Sequence, residues 1–133
     1  MKKKNCRCEF ASERSESLLK NFRASLAVQS QISAQKAFRE AVDAPAPRFW
    51  VSEARAMRIV SMMMKGIDIL DSMHPEKQRM YKEIFRRVMR IKENSPEIPL
   101  GDIVFQVIND PAPCSYITWQ YASKIIYRKK KQP

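Results

Sequence analysis

The segment Pro45-Ala46-Pro47-Arg48-Phe49-Trp50-Val51-Ser52 returns 66 positions later as Pro111-Ala112-Pro113-Cys114-Ser115-Tyr116-Ile117-Thr118. The correspondence continues downstream, where Ala56, Arg58, Ile59 and Val60 fall on Ala122, Lys124, Ile125 and Ile126. Upstream, Leu18, Leu19 and Phe22 fall on Ile84, Phe85 and Val88, and Ile32, Val42 and Asp43 on Ile98, Ile108 and Asn109. The chain therefore reads as one unit used twice, and positions that agree between the copies are those the fold needs. A unit of about 60 residues buries only about 60% of its unfolded surface, so the two copies are expected to pack together.

Within each copy the apolar spacing is helical and no stretch alternates long enough for a strand. A first helix is expected over 11–29, burying Leu18, Leu19, Phe22 and Leu26. A second follows Ser33 as N-cap, buries Ala37, Phe38, Ala41 and Val42, and ends before Pro45. Pro45 and Pro47 force an extended connector, after which Ser52 caps a third helix with Ala56, Ile59, Val60 and Met63 inward and Gly66 as its stop. The order repeats with helices over 77–94 and 100–108 and from Thr118 onward. In the fourth, Tyr81, Ile84, Phe85, Val88 and Ile91 are read as inward. Trp50 and Tyr116, just before the caps, suit hydrophobic staples. The expected fold is all-α, a tandem duplication of a three-helix unit. Its boundaries are a basic flexible tail at 1–10, one trihelical module at 11–66, a linker at 67–76, a second module at 77–128 and a basic tail at 129–133. The cluster of Met57 and Met62 to Met64 is read as filling the join between the modules.

Charge narrows the partner class. The 133 residues carry a formal charge of +11, from 25 Lys and Arg against 14 Asp and Glu. Lys2 to Lys4 open the chain, and Arg128 to Lys131 nearly close it. Such an excess suits a polyanionic partner. The three cysteines, Cys6, Cys8 and Cys114, with the single His74, do not make up a zinc ligand set, and no metal or other cofactor is expected. No long apolar run follows the basic start, so neither a signal peptide nor a membrane span is expected and the protein reads as cytoplasmic. One His, no Gly-rich phosphate loop and no nucleophile with a spaced base argue against an enzyme.

Three helices, the last two joined by a turn and the last one cationic, resemble the plan of tandem trihelical helix-turn-helix DNA-binding proteins. The Pro-Ala-Pro-x-x-aromatic repeat also looks like small uncharacterised bacterial proteins. The connector departs from the helix-turn-helix plan, being closer to eight residues without Gly, where about three or four are usual. The resemblance implies that the third helix of each copy meets DNA. Removing the inward positions leaves Glu53, Arg55, Arg58, Met62 and Lys65 outward in helix three. In helix six it leaves Trp119, Gln120, Ser123, Lys124, Tyr127 and Arg128.

Arg favours guanine and Gln favours adenine edges, so the two faces would read different bases on a non-palindromic site. The expected contact set is Arg48, Arg55, Arg58, Lys65, Trp119, Gln120, Lys124 and Arg128, with Lys129, Lys130 and Lys131 on phosphates. A basic strip on helix four, Arg79, Lys82, Arg86 and Arg90, is a second phosphate track, partly offset by Glu83, which can pair with Arg87. The expected function is double-stranded DNA binding in transcriptional or mobile-element control. The alternatives are a helical protein-interaction adaptor in a phage or plasmid assembly, docking through Met, Trp119 and Tyr127, and RNA binding.

Overall fold

The computed structural model describes residues 10–131. Residues 1–9 of the tail expected at 1–10, with Lys2 to Lys4, Cys6 and Cys8, and residues 132–133 of the tail expected at 129–133 lie outside the described residues. The order is α1 (Ala11–Val28), α2 (Ala34–Asp43), α3 (Glu53–Met64), α4 (Pro75–Asn94), α5 (Leu100–Asn109) and α6 (Trp119–Lys130). No strand forms among the described residues, and the all-α class stands.

Local chemistry sets the helix ends. The Ser33, Ser52 and Thr118 side chains accept from the backbone N–H of Lys36, Arg55 and Tyr121, each the third residue of its helix. This satisfies one of the donors every helix start leaves unpaired. At the end of α3, Gly66 N–H donates to Met63 O and Ile67 N–H to Met62 O, both at 3.0 Å. This paired closure needs a left-handed residue, and Gly66 has φ of +80°. The fourth helix begins two residues before the expected 77. Pro75 suits a first turn, and His74 Nδ1 accepts from the Glu76 N–H at 3.1 Å.

The helices group differently from the sequential modules expected at 11–66 and 77–128. One compact unit joins the described residues up to Pro47 with those from Ala112 onward; the other is Arg48–Pro111. In the first, α6 packs on α1 and α2; in the second, α3 packs on α4 and α5. The third helix of each sequence repeat thus lies against the first two helices of the other. The cause is the connector: two prolines keep it extended, so the helix that follows is carried away from the one before instead of turning back on it.

The core of the first unit is Leu18, Leu19 and Phe22 of α1, Ala37, Phe38, Ala41 and Val42 of α2, and Ala122, Ile125 and Ile126 of α6. Phe22 stacks on Phe38 with ring centroids 4.7 Å apart. Ala46 and Ala112, equivalent positions of the two Pro-Ala-Pro segments, exchange both backbone hydrogen bonds at 2.9 Å in an isolated antiparallel bridge. Ser115 N–H donates to Val42 O at 2.9 Å, closing the connector onto the end of α2. Tyr116 is buried with φ of +55°, a left-handed conformation that a bulky side chain rarely takes.

In the second unit Ala56, Ile59 and Val60 of α3 are buried, as are Met80, Tyr81, Ile84 and Val88 of α4 and Ile103, Val104, Val107 and Ile108 of α5. Phe49 N–H donates to Ile108 O at 2.9 Å, the bond equivalent by the 66-residue offset to Ser115 with Val42. Phe49, Trp50 and Val51 are all buried.

Candidate nucleic-acid interface

The sequence from Ala112 to Lys131 contains no acidic residue, and its charges are Lys124, Arg128, Lys129, Lys130 and Lys131. Burial of Ala122, Ile125 and Ile126 turns the opposite side of α6 outward. Gln120, Lys124 and Arg128, each four positions apart, form one exposed column there, and Lys131 continues it. The helix is 12 residues long, about 18 Å at 1.5 Å per residue. Neither Lys124 nor Arg128 makes an ion pair among the described residues.

The adjoining cations are more engaged. Lys129 is half-buried and lies 3.7 Å from the Glu16 carboxylate of α1. The Lys130 ammonium sits 5.6 Å from the ring centroids of both Phe22 and Tyr127, and Tyr127 remains half exposed. Arg14 of α1 has its guanidinium between Phe10 and Tyr121, at 5.4 and 5.5 Å from the ring centroids, and its Nε has no hydrogen-bond acceptor among the described residues. Arg14, Arg128 and Lys129 line a cleft of about 270 Å³ with Ser12 and Ser15, where the start of α1 meets the end of α6. Sequence reasoning missed Arg14 because it belongs to the repeat opposite to α6. Its only signal would have been the exchanged packing, which no local pattern encodes.

Two expected contact residues serve the fold. Trp119, placed outward from sequence, is half-buried and lies parallel to Phe38 with centroids 6.4 Å apart, with the Arg39 guanidinium 5.3 Å over its indole. Arg48 is half-buried and donates to Phe49 O at 3.1 Å and Val51 O at 2.8 Å, pinning the connector. Arg55 and Arg58 of α3, and Lys65 just past its end, are exposed as expected. Arg55 Nε donates to the Tyr81 hydroxyl at 3.1 Å, and burial pushes that phenol above its ordinary value.

On α4 the basic strip is partly neutralised. Arg79 pairs with Glu76, and Glu83 receives Arg86 at 2.6 Å and Arg87 at 2.7 Å. The Arg86 hydrogen bond, helped by Arg87, holds the Glu83 carboxyl below its ordinary value. Arg87 also reaches Pro111 O at 3.0 Å and lies 5.0 Å over the Phe49 ring. Among the described residues no helix is long and apolar enough to cross a membrane. No family model, curated protein or solved structure matches this chain.

Proposed function

We propose that this chain binds double-stranded DNA through the outward face of α6, with Gln120 and Lys124 at base edges and Arg128 and Lys131 on phosphates. The observation that carries the reading is the exposed Gln120–Lys124–Arg128 column on a helix with no acidic neighbour in its own segment. An α-helix fits the major groove of B-DNA, and a cationic column along it meets the strand charge without internal neutralisation. The cleft between the start of α1 and the end of α6 offers Arg14, Arg128 and Lys129 to a backbone phosphate. Arg58 of α3 and Lys65 at its C-cap add a second, separate set of phosphate contacts. Trp119 is left out of this reading, since its ring lies parallel to Phe38 and packs α6 on α2.

The test is the affinity for a random-sequence duplex between 50 and 200 mM salt. Four or five phosphate contacts lower it by roughly two to three orders of magnitude over that range. Arg128→Ala with Lys131→Ala, both on phosphates in this reading, should make the logarithmic salt slope shallower by about 2 while leaving the thermal melt in place. Absence of duplex binding at low salt, or a preference for unpaired RNA or DNA, refutes the reading.

A further inference from the structure

Arg14 at the start of α1 meets Arg128 and Lys129 from the last turn of α6 around one cleft of about 270 Å³. No carboxylate of the described residues lines it. Glu13, next to Arg14 in sequence, is exposed and stands outside the lining, and Glu16 lies 3.7 Å from Lys129. Arg14 and Arg128 have no carboxylate partner among the described residues, so two of the three cations are unanswered. Arg14 is held by the Phe10 and Tyr121 rings and not by an acceptor: its guanidinium makes no hydrogen bond among the described residues, and its Nε is buried. Folded interiors rarely leave such a donor unmatched, because its lost hydration is not replaced. The Ser12 hydroxyl also makes no hydrogen bond among the described residues, whereas Ser15 Oγ donates to Ala11 O at 2.9 Å. Buried Ile125 gives the cleft an apolar wall, beside which charges act more strongly than in open water.

We propose that this cleft binds the terminal phosphoryl group of a phosphomonoester, from a free nucleotide or from the end of a nucleic acid strand, in preference to an internal phosphodiester. Charge selects the monoester. Its phosphoryl group carries close to two negative charges at neutral pH and three acceptor oxygens, which two unanswered guanidinium groups and the Ser12 hydroxyl match. Guanidinium forks bind phosphate oxygens in pairs. Shape acts the same way, since a monoester has one substituent to lead out of the cleft and a diester has two. The volume is several times the roughly 30 Å³ share of one water and takes a phosphoryl group with the carbon that bears it. The start of α1, whose N-cap Phe10 makes no side-chain hydrogen bond to the first turn, adds its positive dipole end to the cations. The DNA reading lays a backbone phosphate in the same cleft. This inference goes beyond it, because a mononucleotide needs neither the α6 column nor a duplex.

The full chain, labelled with ¹⁵N, is titrated at fixed ionic strength with thymidine 5′-monophosphate while the Arg14 Nε–H and Ser12 backbone N–H signals are followed. Saturable shifts, half-complete below about 5 mM, are expected. The thymidine dinucleoside monophosphate, whose one phosphate is an internal diester, should need about tenfold more, and thymidine itself should move neither signal. Arg128→Gln, at an exposed position, should raise the concentration required about fivefold with the melt in place, and Arg14→Gln, followed at Ser12, should do the same. Lys124→Gln, in the α6 column and outside the cleft, should weaken duplex binding and leave the mononucleotide titration unchanged, so failure of this inference and failure of the DNA reading are told apart. A duplex ending in 5′-phosphates that displaces the mononucleotide at lower concentration than the same duplex ending in hydroxyls identifies strand ends as the source. Equal displacement identifies the free phosphomonoester. The proposal is overturned by no saturable shift up to about 50 mM, by equal affinity for the diester, by shifts with thymidine, or by a titration that neither arginine substitution changes.

Discussion

Trp119 and Arg48 carry side chains suited to nucleic acid, and at both positions the fold uses them internally. The indole lies over Phe38 and under Arg39, so Trp119→Ala removes part of the packing that joins α6 to α2. Loss of this half-buried ring should cost about 2 kcal/mol, read as a lower melting temperature. Duplex affinity measured well below the melt should stay unchanged; a selective loss of affinity with an intact melt would return Trp119 to the interface. Gly66 is a residue whose role was legible from sequence, because a glycine just past an apolar period is a helix stop whatever surrounds it. Its φ of +80° and the open space around its Cα mean that Gly66→Ala meets strain but no clash. The expected cost is about 1 kcal/mol, checked by denaturant titration. Trp119 was less legible: its place depends on Phe38, distant in sequence and in the other repeat.

At the scale of helices, burial periodicity decided most of what could be read. Ala56, Ile59 and Val60 in α3 and Ala122, Ile125 and Ile126 in α6 are buried as their spacing requires. The exposed sides differ in how their charge is answered. The α6 column has no acidic neighbour in its own segment, whereas α4 answers Arg86 and Arg87 with Glu83. The sequence showed the Glu83–Arg87 pairing by its four-residue spacing. It could not show that Arg86 would share the same carboxylate, since that depends on side-chain reach. Glu83 is held ionised below its ordinary value of 4.5, chiefly by Arg86. Its contribution is therefore present above the unfolded value and lost as pH falls through the lower folded one. Glu83→Gln should cost about 1 kcal/mol or less at neutral pH. The melting difference from the parent chain should close as pH is lowered from about 5 toward 3. A difference that persists at the acid end would mean that the carboxylate acts through shape and not charge.

For the whole chain, the pairing of third helices was the part that sequence could not supply. The inner faces of α3 and α6 are chemically interchangeable, small and β-branched at matching positions, so either would cover either pair of supporting helices. What separates the outcomes is the connector, whose prolines hold it extended and whose Ala46 and Ala112 bond to each other. This arrangement makes a sharp statement about fragments. Residues 48–111 contain all three helices of their unit, α3, α4 and α5, together with Phe49 and Trp50. At about 60 residues that unit is marginal, yet its core is complete. It should show helical circular dichroism and a cooperative melt when expressed alone. Residues 11–66, the repeat as the sequence delimits it, contain α1 and α2 without α6, leaving Leu18, Phe22 and Phe38 uncovered. That fragment should fail to melt cooperatively as a monomer at low concentration and should gain structure only as it associates, one copy's α3 covering another's α1 and α2. A monomeric 11–66 that melts as sharply as 48–111 would show that the prolines allow α3 to close on its own repeat, and the exchange would lose its physical cause.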